Sequence, residues 1–119
     1  MEKIGALVYI STCYANCHLT SVEERVYPLK VNGDHLLACL AWMDAERLES
    51  QCFEQLFEGR PNTYTATKAL TESYLADHCG SLRVAIARPS IVIGAKREPE
   101  VGYCDSGSAA NYAFIAQGR

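Results

Sequence analysis

Apolar positions along the chain fall into two rhythms. Residues 4–12, IGALVYIST, and 82–87, LRVAIA, are short and nearly continuous apolar runs. That is the pattern of buried strands. Between them the spacing becomes helical. Apolar residues stand at 36, 37, 40 and 43, then at 48, 53, 56 and 57, which predicts two helices broken near Met43-Asp44. Asp34 is placed to cap the first, with His35 opening it. Gly59 suits the exit of the second, and Pro61 forbids its continuation. A further helix is expected from about Asn62 to His78, capped by Asn62 or Thr63 and stopped by Gly80. Residues 13–33 read as irregular, with turn signals at Tyr27-Pro28 and Asn32-Gly33-Asp34. Beyond Arg88 the run RPSIVIG is expected to leave regular pairing at Pro89. The tail from 95 onward is expected to hold a short strand or helix at YAFIAQG.

A strand, a helical stretch and a second strand make a parallel α/β unit. Two parallel strands cannot cover both of their faces. The fold class expected is therefore α/β with a partial Rossmann-like parallel sheet, a piece of a larger fold.

Composition narrows the possibilities. The chain has 119 residues, 49% of them apolar, and a net charge of −3. A core is within reach and disorder is disfavoured. Lys and Arg do not cluster, which argues against a nucleic-acid partner. No apolar run approaches the ~20 residues that span a bilayer, and no secretory leader pattern is visible. Six cysteines lack C-x-x-C spacing. Even the one close group, Cys13, Cys17 and His18, fits zinc spacing poorly. They read as reduced thiols of an intracellular protein, with no metal.

The candidate chemistry lies in PNTYTATKALTES, residues 61–73. Tyr64 and Lys68 are four apart, so on a helix they share a face about one turn, or ~6 Å, apart. A phenol ordinarily holds its proton to about pH 10, and a neighbouring ammonium favours the phenolate. Such a pair is suited to proton transfer near neutral pH, as carbonyl reduction requires. The spacing alone is equally that of a surface lysine lying along a tyrosine. Position strengthens the chemical reading. Ser11 and Thr12 end the first strand and Arg88-Pro89 ends the second. Ligands of open α/β sheets bind at the carboxyl ends of strands. Glu72, four residues beyond Lys68, is placed for an i, i+4 pair with it.

The combination of strand-Ser-Thr, Tyr-x-x-x-Lys and strand-Arg-Pro-Ser-Ile-Val resembles the extended short-chain dehydrogenase/reductases. YISTCYAN, EERVYP, LAWMDAERLE, RPNTYTATKALTES and VAIARPSIVIGAKREPEVGYCD narrow it. They resemble the Rossmann domain of fatty acyl-CoA reductases, the male-sterility-type proteins, from about Leu7 to the end of the chain.

The resemblance implies NADPH-dependent reduction of a long-chain acyl-CoA, through the aldehyde, to a fatty alcohol. It implies Tyr64 as the acid toward the carbonyl. Lys68 would assist it and hold the nicotinamide ribose. Thr12 or Ser11 would bond the carbonyl oxygen. Pro89, Ser90 and Ile91 would lie along the nicotinamide. Leu36, Leu37, Leu40, Trp42 and Met43 could face an acyl chain, although packing on the sheet is the stronger expectation. The full-length relatives are expected at the endoplasmic reticulum or peroxisome membrane.

One element of the family pattern is missing. Glycines stand at 5, 33, 59, 80, 94, 102, 107 and 118, and none forms the turn that lets a backbone approach a pyrophosphate. Residues 1–119 thus read as an incomplete dinucleotide-binding domain, the C-terminal part of an extended short-chain reductase domain. Two alternatives stand beside catalysis by this chain. It could be a non-catalytic fragment that associates with other chains through exposed sheet edges. It could belong to another extended reductase acting on sterols or nucleotide sugars, which RPNTYTATKAL disfavours.

Overall fold

The two apolar runs pair with each other. The computed structural model describes residues 4–104, less the side chains of residues 49, 52, 53, 55 and 56. In it β1 (Leu7–Ile10) lies parallel to β2 (Val84–Ala87), with Leu7 opposite Val84 and Ile10 opposite Ala87. Bonds of ladder type continue past both ends. Leu7 N donates to Arg83 O at 2.9 Å, Ser11 N to Ala87 O at 2.7 Å, and Cys13 N to Pro89 O at 3.0 Å. Pro89 has no N–H to give but still accepts, so the strands stay in register up to the proline.

The connection begins with a 3-10 turn, Cys13–Asn16, then irregular chain, then three helices: α1 (Gly33–Leu40), α2 (Ala45–Phe57) and α3 (Thr63–His78). Each helix starts on a side-chain cap. Asn32 Oδ1 accepts from the N–H groups of Asp34 and His35, Asp44 Oδ1 from Arg47, and Asn62 Oδ1 from Thr65. The first cap is thus Asn32 rather than Asp34, and α1 starts two residues earlier than expected. Gly33 permits that start. A Cβ there would lie 2.5 Å from Tyr74 Cδ2, so its bare backbone lets α1 approach α3. At the other break Glu58 (φ 44) and Gly59 (φ 84) turn left-handed and swing the chain from α2 into α3.

The core is small. Ala66 and Ala69 of α3 are buried, as are Ala15 of the 3-10 turn, Leu36 of α1 and Phe57 of α2. Small residues on α3 let it pack closely against the 3-10 turn, with α1 and α2 on its flanks. Within α1 only Leu36 is buried, while Leu37, Leu40 and the nearby Trp42 are exposed, Trp42 at 67%. The expectation that this apolar group packs on the sheet thus fails for Leu37, Leu40 and Trp42, and α1 itself lies against α3.

Alternation along the strands puts Leu7, Tyr9, Val84 and Ile86 on one face. The amine of Lys68 lies 5.2 Å from the Tyr9 ring centroid, so α3 is on that side. Val8, at 59% exposed, shares the opposite face with Ile10, Ala85 and Ala87, all exposed.

The chain divides into two compact units, Met1–Pro89, which carries every element named above, and Ser90–Arg119. In the second, Ala95 N donates to Tyr103 O and Gly102 N to Ala95 O, both at 2.8 Å. The YAFIAQG segment lies outside the described residues. Among the described residues no helix is long and apolar enough to cross a membrane.

Candidate active site

Asn62 caps α3 and so fixes the phase of the helix. In that phase Thr65, Ala66, Ala69, Glu72 and Ser73 turn inward. Tyr64 is left outward at 54% exposure. Lys68 stands one turn on. Its Nζ is 6.0 Å from the Tyr64 ring centroid and donates to the carbonyl oxygen of Ile10 at 2.8 Å. The amine is thereby fixed at the end of β1, next to Ser11. Only one of its three N–H groups is used in that bond, and two remain for another acceptor.

The two hydroxyls at the strand end differ in state. Thr12 Oγ1 accepts from Tyr14 N at 3.3 Å and caps the 3-10 turn. Ser11 is 2% exposed and its Oγ has no hydrogen-bond partner among the described residues. A buried hydroxyl without a partner is costly. Of the two, Ser11 is the one with unspent hydrogen-bonding capacity.

Pro89 closes the first unit, and its carbonyl holds Cys13. Ser90 and Ile91 open the second unit and are exposed. The described geometry thus joins Tyr64, Lys68, the Ser11-Thr12 strand end and the Pro89 carbonyl within one unit.

Two arginines flank this group, and motif spacing assigns neither a role in the site. Arg60 is buried just ahead of α3. Its Nε donates to Ala15 O at 2.7 Å and its Nη2 to Asn16 Oδ1 at 3.0 Å, and Glu58 Oε2 lies 3.8 Å from Nη1. Burial lowers its pKa, and Glu58 opposes that shift. His18 beside it is also lowered, by burial and then by the Arg60 charge.

The second is Arg88. Its Nε donates to Glu72 Oε1 at 2.9 Å and its Nη2 to Glu72 Oε2 at 2.6 Å. Glu72 therefore does not pair with Lys68. It faces inward, where the fork of Arg88 satisfies both oxygens, while Lys68 points to the strand end. The Glu72 bond raises the Arg88 pKa further. The sequence carries no signal for this pair: the inward stripe of α3 is Thr65, Ala66, Ala69, Glu72 and Ser73, which no hydrophobic rhythm marks as core.

A cavity of about 730 Å³ lies against Val84 and Ile86, walled by Cys13, Arg88 and residues Val22 to Val26. Neither Tyr64 nor Lys68 lines it. The cysteines Cys13, Cys17, Cys39, Cys79 and Cys104 are free thiols. Among the described residues no group of three or more His, Cys, Asp or Glu could hold a metal.

The whole chain, residues 1–119, matches the NAD-binding family model described as male sterility protein. The chain belongs to the male sterility protein family. It is 40% identical to "Fatty acyl-CoA reductase 1" of Xenopus laevis over 119 residues, all of this chain and 23% of the relative. The same coverage holds at 38% identity for "Fatty acyl-CoA reductase 2" of Mus musculus and "Fatty acyl-CoA reductase 1" of Homo sapiens. No solved structure matches. The fold of this male sterility family chain, helices on a short parallel sheet, is that of part of a Rossmann-like domain, and its cofactor class is a nicotinamide dinucleotide.

Proposed function

We propose that this chain carries the catalytic face of an NADPH-dependent reductase that converts long-chain fatty acyl-CoA, through the aldehyde, to fatty alcohol. The observation that carries the reading is the Tyr64–Lys68 face. The phenol is exposed on α3, and the amine one turn on is bonded to the end of β1. The acyl-CoA substrate comes from the names of the curated relatives, of which this chain spans 23%.

The residues present fit the nicotinamide end of a dinucleotide. Lys68 has N–H groups for ribose hydroxyls, and Ser11 has an unpartnered buried hydroxyl. The family resemblance adds backbone groups of Pro89, Ser90 and Ile91 for the carboxamide. When bound, NADPH supplies hydride to the carbonyl carbon. Tyr64 Oη delivers its proton to the carbonyl oxygen. Ser11 or Thr12 donates to the same oxygen as negative charge develops there. The hemithioacetal so formed collapses with its hydroxyl proton passing to sulfur, which releases coenzyme A as the thiol and leaves the aldehyde. Tyr64, reprotonated from solvent, then supplies the proton for a second round at the aldehyde carbon, with hydride from a second NADPH, and the alcohol results.

Purified chain titrated with NADPH and then given long-chain acyl-CoA tests this. Because no glycine-rich pyrophosphate turn is present in the sequence, the reading expects weak but saturable binding, and aldehyde and alcohol by mass spectrometry. Absence of binding excludes catalysis by the chain alone. A second reading then takes over, in which the chain acts by association with another polypeptide. The exposed apolar face of Val8 and Ile10 favours it.

A further inference from the structure

Glu72 stands one turn beyond Lys68 on α3 and is 1% exposed. Arg88, just past β2, holds it by two parallel bonds. The guanidinium also reaches the irregular segment, donating to Glu23 O at 3.2 Å and Arg25 O at 2.8 Å. One side chain thus joins α3, the end of β2 and the 23–25 segment.

Stability does not explain such a pair, because apolar side chains of similar volume often support a fold as well or better. A two-pronged guanidinium–carboxylate contact supplies direction instead. It fixes both the separation and the rotation of the groups it joins. The group that needs such fixing lies one turn away. Lys68 and Glu72 are on the same helix, so a slide or roll of α3 that opened the Arg88 grip would also carry Lys68 Nζ off the Ile10 carbonyl. Among the described residues no other side-chain bond ties this turn of α3 to the end of β2. Ala66 and Ala69 pack by shape alone.

We propose that Arg88, through its grip on Glu72, is a positioning residue that sets the place of Lys68 at the end of β1. The role assigned to Arg88 is exerted through Glu72 and α3. The inference rests on the reductase reading for its purpose but not for its test.

The test is made by NMR on the full chain, without turnover. In the wild type the Lys68 side-chain protons give nuclear Overhauser contacts to the Tyr9 ring, assigned with Lys68→Arg and Tyr9→Phe. The double variant Glu72→Leu with Arg88→Met also loses the bonds to Glu23 O and Arg25 O. It is expected to stay folded by circular dichroism at the temperature of measurement and to lose the Lys68–Tyr9 contacts. Arg88→Lys keeps the charge but cannot grip both oxygens, and it is expected to lose them as well. If the contacts persist in both variants, the pair only holds the fold together and the positioning role is overturned. Turnover by the wild-type chain is measured separately, so its absence would count against the reductase reading and not against this one.

Discussion

Lys68 Nζ donates to the carbonyl of Ile10 at 2.8 Å, a contact between residues 58 positions apart in the sequence. It places the charge of the helix at the carboxyl end of the strand and leaves Tyr64, one turn earlier, open to solvent. Tyr64→Phe removes only an exposed hydroxyl. Its stability is expected within about 0.5 kcal/mol of the wild type by urea unfolding. NADPH affinity by fluorescence titration is expected to persist, and alcohol formation is expected to fall by about 10²–10⁴-fold, the range for a lost general acid. Equal rates in the two proteins would remove the acid role.

Ser11 and Thr12 are adjacent, and their substitutions should part company. Thr12 caps the 3-10 turn, so Thr12→Val is expected to cost about 0.5–2 kcal/mol. Ser11 Oγ is buried without a partner. Ser11→Ala therefore deletes an unsatisfied group and is expected to be neutral or stabilising. If Ser11 bonds the substrate oxygen, the same change lowers the reduction rate while the melting temperature holds or rises. A Ser11→Ala protein at full rate, beside a Thr12→Val protein that is slow once corrected for folded fraction, would assign the hydroxyl to Thr12.

The elements are legible in the sequence where local rules act alone. Asp44 and Asn62 cap α2 and α3 because a short polar side chain precedes a helical rhythm, and Glu58-Gly59 leaves α2 where Pro61 forbids more helix. At α1 local rules do not separate Asn32 from Asp34, because either can cap. In the structure Asn32 is the cap, with Gly33 set against Tyr74, a contact from 41 residues away that a side chain at 33 would crowd. The Tyr64–Lys68 face is carried by a spacing of four. The partner of Glu72 is not, because Arg88 is delivered by the strand after α3, and a two-pronged grip outcompetes a one-point pair on the helix surface. Arg60 is equally hidden, since its acceptors, Ala15 O and Asn16 Oδ1, do not advertise a cation-binding role.

Arg60 joins the 3-10 turn to the start of α3, and its loss should be felt in folding. Arg60→Met keeps much of the apolar stem but strips the donors from Ala15 O, Asn16 Oδ1 and Phe57 O. Hydrogen bonds from a charged donor are worth about 1.5–3 kcal/mol each and are only partly additive. The expected loss is about 3 kcal/mol, read as a lower urea midpoint at unchanged m-value. A loss below about 0.5 kcal/mol, the usual effect of a surface change, would mean that water replaces the guanidinium at these carbonyls.

The last contact to test is the one between α1 and the C-terminal end of α3. His78 Nδ1 lies 2.9 Å from Tyr74 O and Nε2 lies 3.0 Å from Asp34 Oδ2. A neutral imidazole has one N–H, so only the doubly protonated ring donates to both. The Tyr74 carbonyl first, then the Asp34 carboxylate, raises the His78 pKa above its ordinary value, with Asp77 adding a smaller push. Because the folded value exceeds the unfolded one, the stabilisation is fully present below the unfolded pKa of about 6.5. It is lost as pH rises through the folded value. His18 titrates with the opposite sign, since its folded pKa is lowered. Wild type and Asp34→Asn share His18, so the difference between their stability–pH curves isolates His78. That difference is expected to shrink as the pH climbs from about 6 toward about 9, across and above the ordinary histidine range, while the His78 ring resonances in the variant titrate at a lower pH than in the wild type. A difference that stays flat across this range would show that the imidazole and the carboxylate do not exchange a charged bond in solution.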